Sequence, residues 1–133
     1  MQKVTNVLTN DEIKSLLQAS DWRGWLEIGT TWGLIVASFA LVAWQPSWLT
    51  ITLALLVLGG RQLGLSILMH EASHRSLFRT RWLNDTIGTW LCAAPVWTHL
   101  QKYRVHHMAH HAHTQTEKDT DLGLTEPFPV TKA

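Results

Sequence analysis

The chain carries two long apolar stretches separated by a short polar break. Segment 28–44 contains no charged residue, and segment 48–69 contains one, Arg61. A helix that crosses the hydrocarbon core of a bilayer needs about 17–25 residues, and both segments reach that length. Both are apolar all round rather than on one face, which favours membrane spans over a helix pair buried in a soluble protein. With only residues 45–47 between them, the two segments predict a tight transmembrane helical hairpin.

The segment before the hairpin has an amphipathic pattern. Thr9 and Glu12 are spaced as a capping box, and Ile13, Leu16 and Leu17 then form one apolar stripe. We therefore predict an amphipathic helix over 9–19 that lies on the membrane or on a partner helix, with a simple surface helix as the equal alternative.

The segment after the hairpin is too interrupted for a third span. Residues 82–100 include three tryptophans, but Asn84, Asp85 and Pro95 break the apolar run. We predict an interfacial or re-entrant segment, which would return the chain along the face from which the hairpin emerges. The full prediction is an all-α, polytopic membrane protein with one hairpin and amphipathic or interfacial helices.

Positive charge is distributed unevenly around the hairpin. The turn at 45–47 contains no lysine or arginine, whereas basic residues occur on both flanks: Lys14, Arg23, Arg75, Arg79, Arg81, Lys102 and Arg104. Basic flanks remain in the cytoplasm, so both ends are predicted to be cytoplasmic and the turn external. Arg61 would then snorkel to the cytoplasmic face or pair inside a bundle. Gly60 and Gly64 form a GxxxG pattern, which can permit close contact between helices, but the pattern is common in apolar helices and is only weak evidence of such contact.

Composition excludes several classes of protein. The 133 residues correspond to one domain or part of one, and a formal net charge of +1 gives no attraction to nucleic acid. The single cysteine, Cys92, lies in an apolar context and is predicted to be a small buried hydrophobic residue. Residues 1–21 lack the apolar core and cleavage site of a secretory signal peptide.

Two histidine clusters follow the second apolar segment. His70 and His74 have HxxxH spacing, and His107, His110 and His111 have HxxHH spacing. On a helix, residues three and four apart share a face, so each cluster can present converging imidazole nitrogens, which are common metal ligands. A second helical register, through His106, His110 and His113, would also cluster three imidazoles.

These motifs resemble the N-terminal half of membrane fatty acid desaturases, from the hairpin onward. The resemblance rests on the two histidine motifs, about thirty residues apart, and on the residues around them: Asn84-Asp85, Tyr103-Arg104, Thr114, Asp119-Thr120-Asp121-Leu122 and Pro127-Phe128-Pro129. One departure is mild: the family often has Asp-Pro-Asp where this chain has residues 119–121.

The resemblance implies a function and a cofactor. It makes 1–133 the N-terminal part of a desaturase domain, which inserts a double bond into an acyl chain with dioxygen and two electrons. Carried over residue by residue, the ligands of two non-haem iron ions are His70, His74, His107, His110 and His111, on the cytoplasmic side. The substrate would be an acyl-lipid, acyl-CoA or acyl-carrier protein, and the electron donor a ferredoxin, rubredoxin or cytochrome b5.

Other functions fit parts of the sequence. Residues 70–74 also satisfy the HExxH motif of zinc proteases, in which Glu71 would activate water, but that reading gives the second cluster no role. Haem or transport sites on membrane helices normally lie within the span, not past it. Related hydroxylases of alkanes, sterols or carotenoids share the ligands. The five imidazoles supply about half of a two-iron ligand set, so we expect activity to need a C-terminal partner or a second copy.

Overall fold

The computed structural model describes residues 7–16 and 18–125, with the side chains of Leu124 and Thr125 excepted. The described residues form helices and no strand, which confirms the all-α prediction. The helices are α1 (Asn10–Leu16), α2 (Asp21–Trp44), α3 (Trp48–His74), α4 (Arg81–Ile87), α5 (Leu100–His113) and α6 (Leu122–Thr125). A π-helical turn (Gly88–Ala93) and a 3-10 turn (Ala94–Val96) connect α4 to α5.

Helices α2 and α3 form the predicted hairpin. Ser47 caps α3 reciprocally with Thr50: its side chain accepts from the Thr50 N–H, and the Thr50 hydroxyl accepts from the Ser47 N–H. Both helices are longer than the apolar pattern predicts. α2 begins at Asp21 rather than residue 28, and α3 continues past residue 69 to His74, because backbone hydrogen bonding continues where the side chains become polar.

Large apolar side chains cover the outside of the hairpin. α2 and α3 are long and apolar enough to cross a membrane, and only 17% of each most apolar window is buried within the chain. Phe39 on α2 is 63% exposed and Leu56 on α3 is 71% exposed. Exposed apolar surfaces of this extent are typical of sites that contact a membrane or another protein.

The packed core lies at the end of the hairpin opposite the turn at 45–47. It comprises Ile28, Leu68, Met69, Ala72, Leu77, Phe78, Leu83, Cys92, Ala93 and Leu100. Cys92 is fully buried, as predicted. Two glycines permit close approach: a Cβ at Gly24 would lie 2.6 Å from the Phe78 ring, and one at Gly88 would lie 2.6 Å from the Ala72 Cβ. The core therefore surrounds the last turns of α3.

Buried polar contacts fix the segment between α3 and α5. The Asn84 side chain donates to the carbonyls of Phe78 and Thr80 and accepts from the Phe78 N–H. Farther along, the Trp32 indole on α2 donates to the Leu91 carbonyl at 3.0 Å. As predicted, this segment is interrupted, and it turns the chain so that α5 lies beside α3.

The remaining predictions near the hairpin have mixed outcomes. The Thr9 and Glu12 capping box is present, but α1 ends at Leu16, earlier than predicted, and Leu17 lies outside the described residues. Arg61 makes no ion pair with any residue that the structure describes. Its guanidinium carbon lies 3.8 Å from the position of a Cβ on Gly64, one turn nearer His70. Pro127 and Pro129 also lie outside the described residues.

Candidate metal centre

The first histidine motif occupies the last turn of α3. His70 and His74 are separated by one helical turn, and their ring centroids lie 4.7 Å apart. The helix ends immediately afterwards, at Arg75, which adopts the left-handed conformation (φ 60°) and donates its N–H to the Ala72 carbonyl. The core around Ala72 and Met69 holds this turn. Both imidazoles therefore project from the packed end of a continuous helix.

The second motif brings two further histidines from α5 to the same point. His107 Nε2 lies 2.9 Å from His74 Nε2 and 3.0 Å from His111 Nε2, and the His107 ring centroid is 4.6 Å from that of His70. One possible ligand atom from each of these four residues lies within 4.8 Å of the other three. We call His70, His74, His107 and His111 the four-histidine cluster.

The donor set of the four-histidine cluster fits a transition metal. Nitrogen ligands at about 2.1 Å from one ion are about 3.0 Å apart when cis and about 4.2 Å apart when trans. The observed contacts of 2.9 and 3.0 Å match the cis spacing. Neutral imidazole is a ligand for iron, zinc and copper, whereas hard cations such as Mg²⁺ prefer oxygen. The four-histidine cluster can therefore hold a metal ion, and its chemistry favours iron, zinc or copper.

His110, the fifth predicted ligand, lies outside the four-histidine cluster. Its ring centroid is 6.2 Å from that of His107, and its Nδ1–H donates to Asp119 at 2.7 Å. The Asp119 carboxylate also accepts from the N–H groups of Gln115 and Asp121. These bonds lower the pKa of Asp119 to about 2, and the carboxylate raises the pKa of His110. His110 thus keeps Nε2 free, as in carboxylate–histidine–metal arrangements.

Two residues of the four-histidine cluster, His74 and His107, have a lowered pKa. Burial, followed by the neighbouring imidazoles of His70 and His111, lowers the pKa of His107 to about 4. Burial and the same two neighbours also lower the pKa of His74. Metal binding needs unprotonated nitrogen, so both residues have the required charge state at neutral pH.

Glu71, the potential base of a zinc protease, is engaged by its neighbours. Ser76 Oγ donates to its carboxylate at 2.7 Å, and His70 Nδ1 lies 3.0 Å from the other oxygen. The Ser76 bond is the largest cause of the lowered pKa of Glu71. Glu71 therefore orients His70 and leaves Nε2 of that imidazole free to bind metal.

Two residues that precede the second motif contact the site. The Tyr103 ring stacks on His107, with centroids 5.2 Å apart and planes 15° apart. The Arg104 guanidinium donates to the carbonyls of Ser73 and Ala72 at 2.8 and 2.9 Å and pairs with Asp85 at 2.7 Å. The sequence marked Tyr103, Arg104 and Asp85 only as part of a resemblance. The signal that could have pointed to this pair is Asp85, a charged residue within an otherwise apolar run that needs a partner if it is buried.

The other histidines do not join the four-histidine cluster. His106 Nε2 lies 2.8 Å from a carboxylate oxygen of Asp121, and His99 is the N-cap residue of α5. His113 is exposed at the end of the helix. The structure thus brings together His107 and His111 with the first motif, and the second register, through His106 and His113, points elsewhere.

Comparison with known proteins matches the part of the chain that contains both histidine motifs. The sequence model of the family described as fatty acid desaturase matches residues 46–131, which is more than half of the chain. No solved structure matches the chain with statistical significance.

Three curated relatives are desaturases. Dihydrorhizobitoxine desaturase of Bradyrhizobium elkanii is 33% identical over 66% of this chain and 26% of its own length. The sn-1 oleoyl-lipid 12-desaturase of Anabaena variabilis is 24% identical over 85% of this chain and 35% of its own length. The ferredoxin-dependent sn-1 acyl-lipid omega-3 desaturase of Synechocystis sp. is 32% identical over 62% of this chain and 23% of its own length. The chain spans about a quarter to a third of these relatives.

Proposed function

Because the chain belongs to the fatty acid desaturase family, we propose that it forms part of a membrane oxidoreductase that introduces a double bond into a fatty acyl chain. The observation that carries this proposal is the convergence of four imidazoles from α3 and α5 within 4.8 Å of one another. Dioxygen would be the oxidant, and two electrons from a donor protein would complete its reduction to water.

The proposed metal is iron, as two non-haem ions. His70, His74, His107 and His111 would hold metal through the four-histidine cluster, and His110, oriented by Asp119, would be the fifth ligand from this chain. The chemistry that bound iron would supply at these residues is oxidation by dioxygen, strong enough to remove hydrogen from unactivated methylene groups. Two ions need about ten ligand positions, some of them open, so we propose that the remaining ligands come from a C-terminal part or from a second copy.

The chain's own residues support this chemistry in two ways. The low pKa of His107 keeps its imidazole unprotonated at neutral pH, so no proton competes with the metal. The exposed apolar surfaces of α2 and α3 lead directly to the last turn of α3. An acyl chain dissolved in the bilayer can reach the histidines along that surface.

For topology, we propose that 28–44 and 48–69 span the membrane, with both ends and the histidine motifs in the cytoplasm. The uneven distribution of basic residues around the turn at 45–47 supports this orientation. The position of the Arg61 guanidinium over Gly64 is consistent with snorkelling toward the cytoplasmic end. A cysteine that replaces Gln45 should react with a membrane-impermeant thiol reagent in intact cells. Native Cys92 is buried and should not contribute to the signal. Reaction only after the cells are permeabilised would mean that the turn lies in the cytoplasm and that the proposed orientation is wrong.

The partners follow from the reaction. The substrate would be an acyl-lipid, acyl-CoA or acyl-carrier protein, and the donor a ferredoxin, rubredoxin or cytochrome b5. Two of the similar proteins are named for acyl-lipid substrates, and one is named with ferredoxin. We therefore propose an acyl-lipid and a ferredoxin as the first pair to test.

The decisive experiment combines metal content with product analysis. The chain is expressed with a C-terminal desaturase part, and iron and lipid products are measured for the parent, His107→Ala and the exposed control His113→Ala. We expect iron and a new double bond in the parent and the control and loss of both in His107→Ala. Hydroxylated products would assign a hydroxylase, and zinc with peptide hydrolysis would refute the proposal.

A further inference from the structure

Arg104 connects the two histidine motifs through their backbones. Its Nε donates to the Ser73 carbonyl and its Nη2 to the Ala72 carbonyl, and both carbonyls lie between His70 and His74 on α3. On α5, Arg104 precedes His107 by three residues, so the two side chains share a face of the helix. The Arg104 guanidinium thus links the backbone beside His70 and His74 on α3 to the helical turn before His107 on α5.

The partly exposed carboxylate of Asp85 pairs with the guanidinium itself. Nη2 pairs with Asp85 Oδ1 at 2.7 Å, and that oxygen is inaccessible to solvent. Nη1 donates to Gln101 Oε1 at 3.0 Å, and the Arg104 side chain is only 13% exposed. Every nitrogen of the planar fork therefore has a partner, an arrangement that a lysine ammonium cannot reproduce.

We propose that Arg104 is a positioning residue for the metal centre: with Asp85 and the carbonyls of Ala72 and Ser73, it forms a clamp that sets the rotation of α5 against the last turn of α3. Leu100 packs at the start of α5 against the core and fixes where that helix begins. The Arg104 clamp, one turn later, fixes which face of α5 meets α3. That rotation brings His107 Nε2 to 2.9 Å from His74 Nε2. The inference rests on the proposed metal centre.

The test measures metal affinity and helix position separately. Co²⁺ alone is titrated into the full chain in detergent micelles, followed by its visible absorption, for the parent, Arg104→Gln and Arg104→Lys. Lys102→Gln is the matched control because it removes a positive charge from the same helix at an exposed position. Spin labels on cysteines at Ile67 and Val105, both exposed, report the distance between α3 and α5.

We expect both Arg104 variants to lose about tenfold or more in Co²⁺ affinity, with a broadened spin-label distance distribution, while Lys102→Gln matches the parent. Asp85→Asn should show the same changes to a smaller extent, and it keeps the inference testable if an Arg104 variant does not fold. Unchanged affinity and distance in Arg104→Gln would overturn the inference. So would a lower unfolding temperature with unchanged affinity of the folded protein, since that result describes an ordinary stabilising contact.

Failure of the proposed function gives a different result. A parent chain that binds no Co²⁺ refutes metal binding by the four-histidine cluster, whereas the spin-label distances still decide whether the Arg104 clamp positions α5. A parent that binds Co²⁺, together with an Arg104→Gln variant that binds it equally well, refutes only the clamp.

Discussion

Replacing Gly88 with alanine tests how closely the segment between α3 and α5, here called the return segment, packs against α3, the helix that carries the first histidine motif. Gly88 has ordinary right-handed helical dihedral angles (φ −58°, ψ −37°), so an alanine backbone fits there without strain. Its added Cβ, however, would lie 2.6 Å from the Ala72 Cβ and 3.0 Å from a methyl group of Leu100. Carbon atoms in contact lie about 3.5–4.0 Å apart, so the segment must move away from α3 by about 1 Å.

The expected cost follows from two opposing terms. Overpacking a dense core by one methyl group destabilises a protein by about 1–3 kcal/mol. Replacing glycine with alanine reduces the freedom of the unfolded chain, which returns about 0.5–1 kcal/mol. We therefore expect Gly88→Ala to lower the free energy of unfolding by about 1–2 kcal/mol. Gly60→Ala on α3 is the matched control, because its Cβ would have no neighbour within 4 Å.

The assay is unfolding in detergent, followed by circular dichroism, for the parent, both single variants and the double variant Gly88→Ala with Ala72→Gly. The double variant transfers the methyl group to the other side of the contact, so it should recover part of the loss. Gly60→Ala should equal or exceed the parent. A Gly88→Ala protein as stable as Gly60→Ala would show that the return segment does not pack tightly on α3.

Three further predictions concern the hairpin and the proposed metal centre. Ser47→Ala removes the oxygen that accepts from the Thr50 N–H and should cost about 1 kcal/mol in the same assay; an unchanged midpoint would mean that the cap contributes nothing. Asp119→Asn should weaken Co²⁺ binding by about 10–100-fold because it frees His110, and unchanged binding would argue against His110 as a ligand. The folded-state pKa of His107, about 4, lies below its ordinary 6.5, so the unfolded chain binds more protons between these values. Stability should be intact above pH 6.5 and decrease as the pH falls toward 4, which unfolding midpoints at several pH values would check; a flat profile would contradict it.

The hairpin could be predicted from sequence because the information is local. Two apolar segments separated by 45–47 specify two helices and a turn, and the Ser47 cap adds to them. The polarity change at His70 marks the end of the apolar segment, not of the helix, so the pattern alone does not locate the end of α3. Backbone hydrogen bonds continue to Arg75, where the left-handed conformation ends them.

The site could be predicted only in part. Helical spacing places His70 with His74 and His107 with His111, but the meeting of the two pairs depends on the path of the intervening segment. The contacts of Arg104 with Asp85 and with the end of α3 join residues far apart in the sequence, and no periodicity reveals them. The same holds for the bond from His110 to Asp119, which forms only because the chain turns back after α5.

Because α3 is continuous, its length determines where His70 and His74 are placed. The helix runs unbroken for 27 residues from the turn at 45–47 to His74, a length of about 40 Å at 1.5 Å per residue. One residue inserted in its middle would rotate everything beyond it by about 100° and advance it by about 1.5 Å. Both histidines would then leave the face that meets α5. The number of residues in the apolar segment of α3 therefore sets both the length of the helix and the direction in which its histidines point. An insertion or deletion in that segment would turn the first histidine motif away from the second.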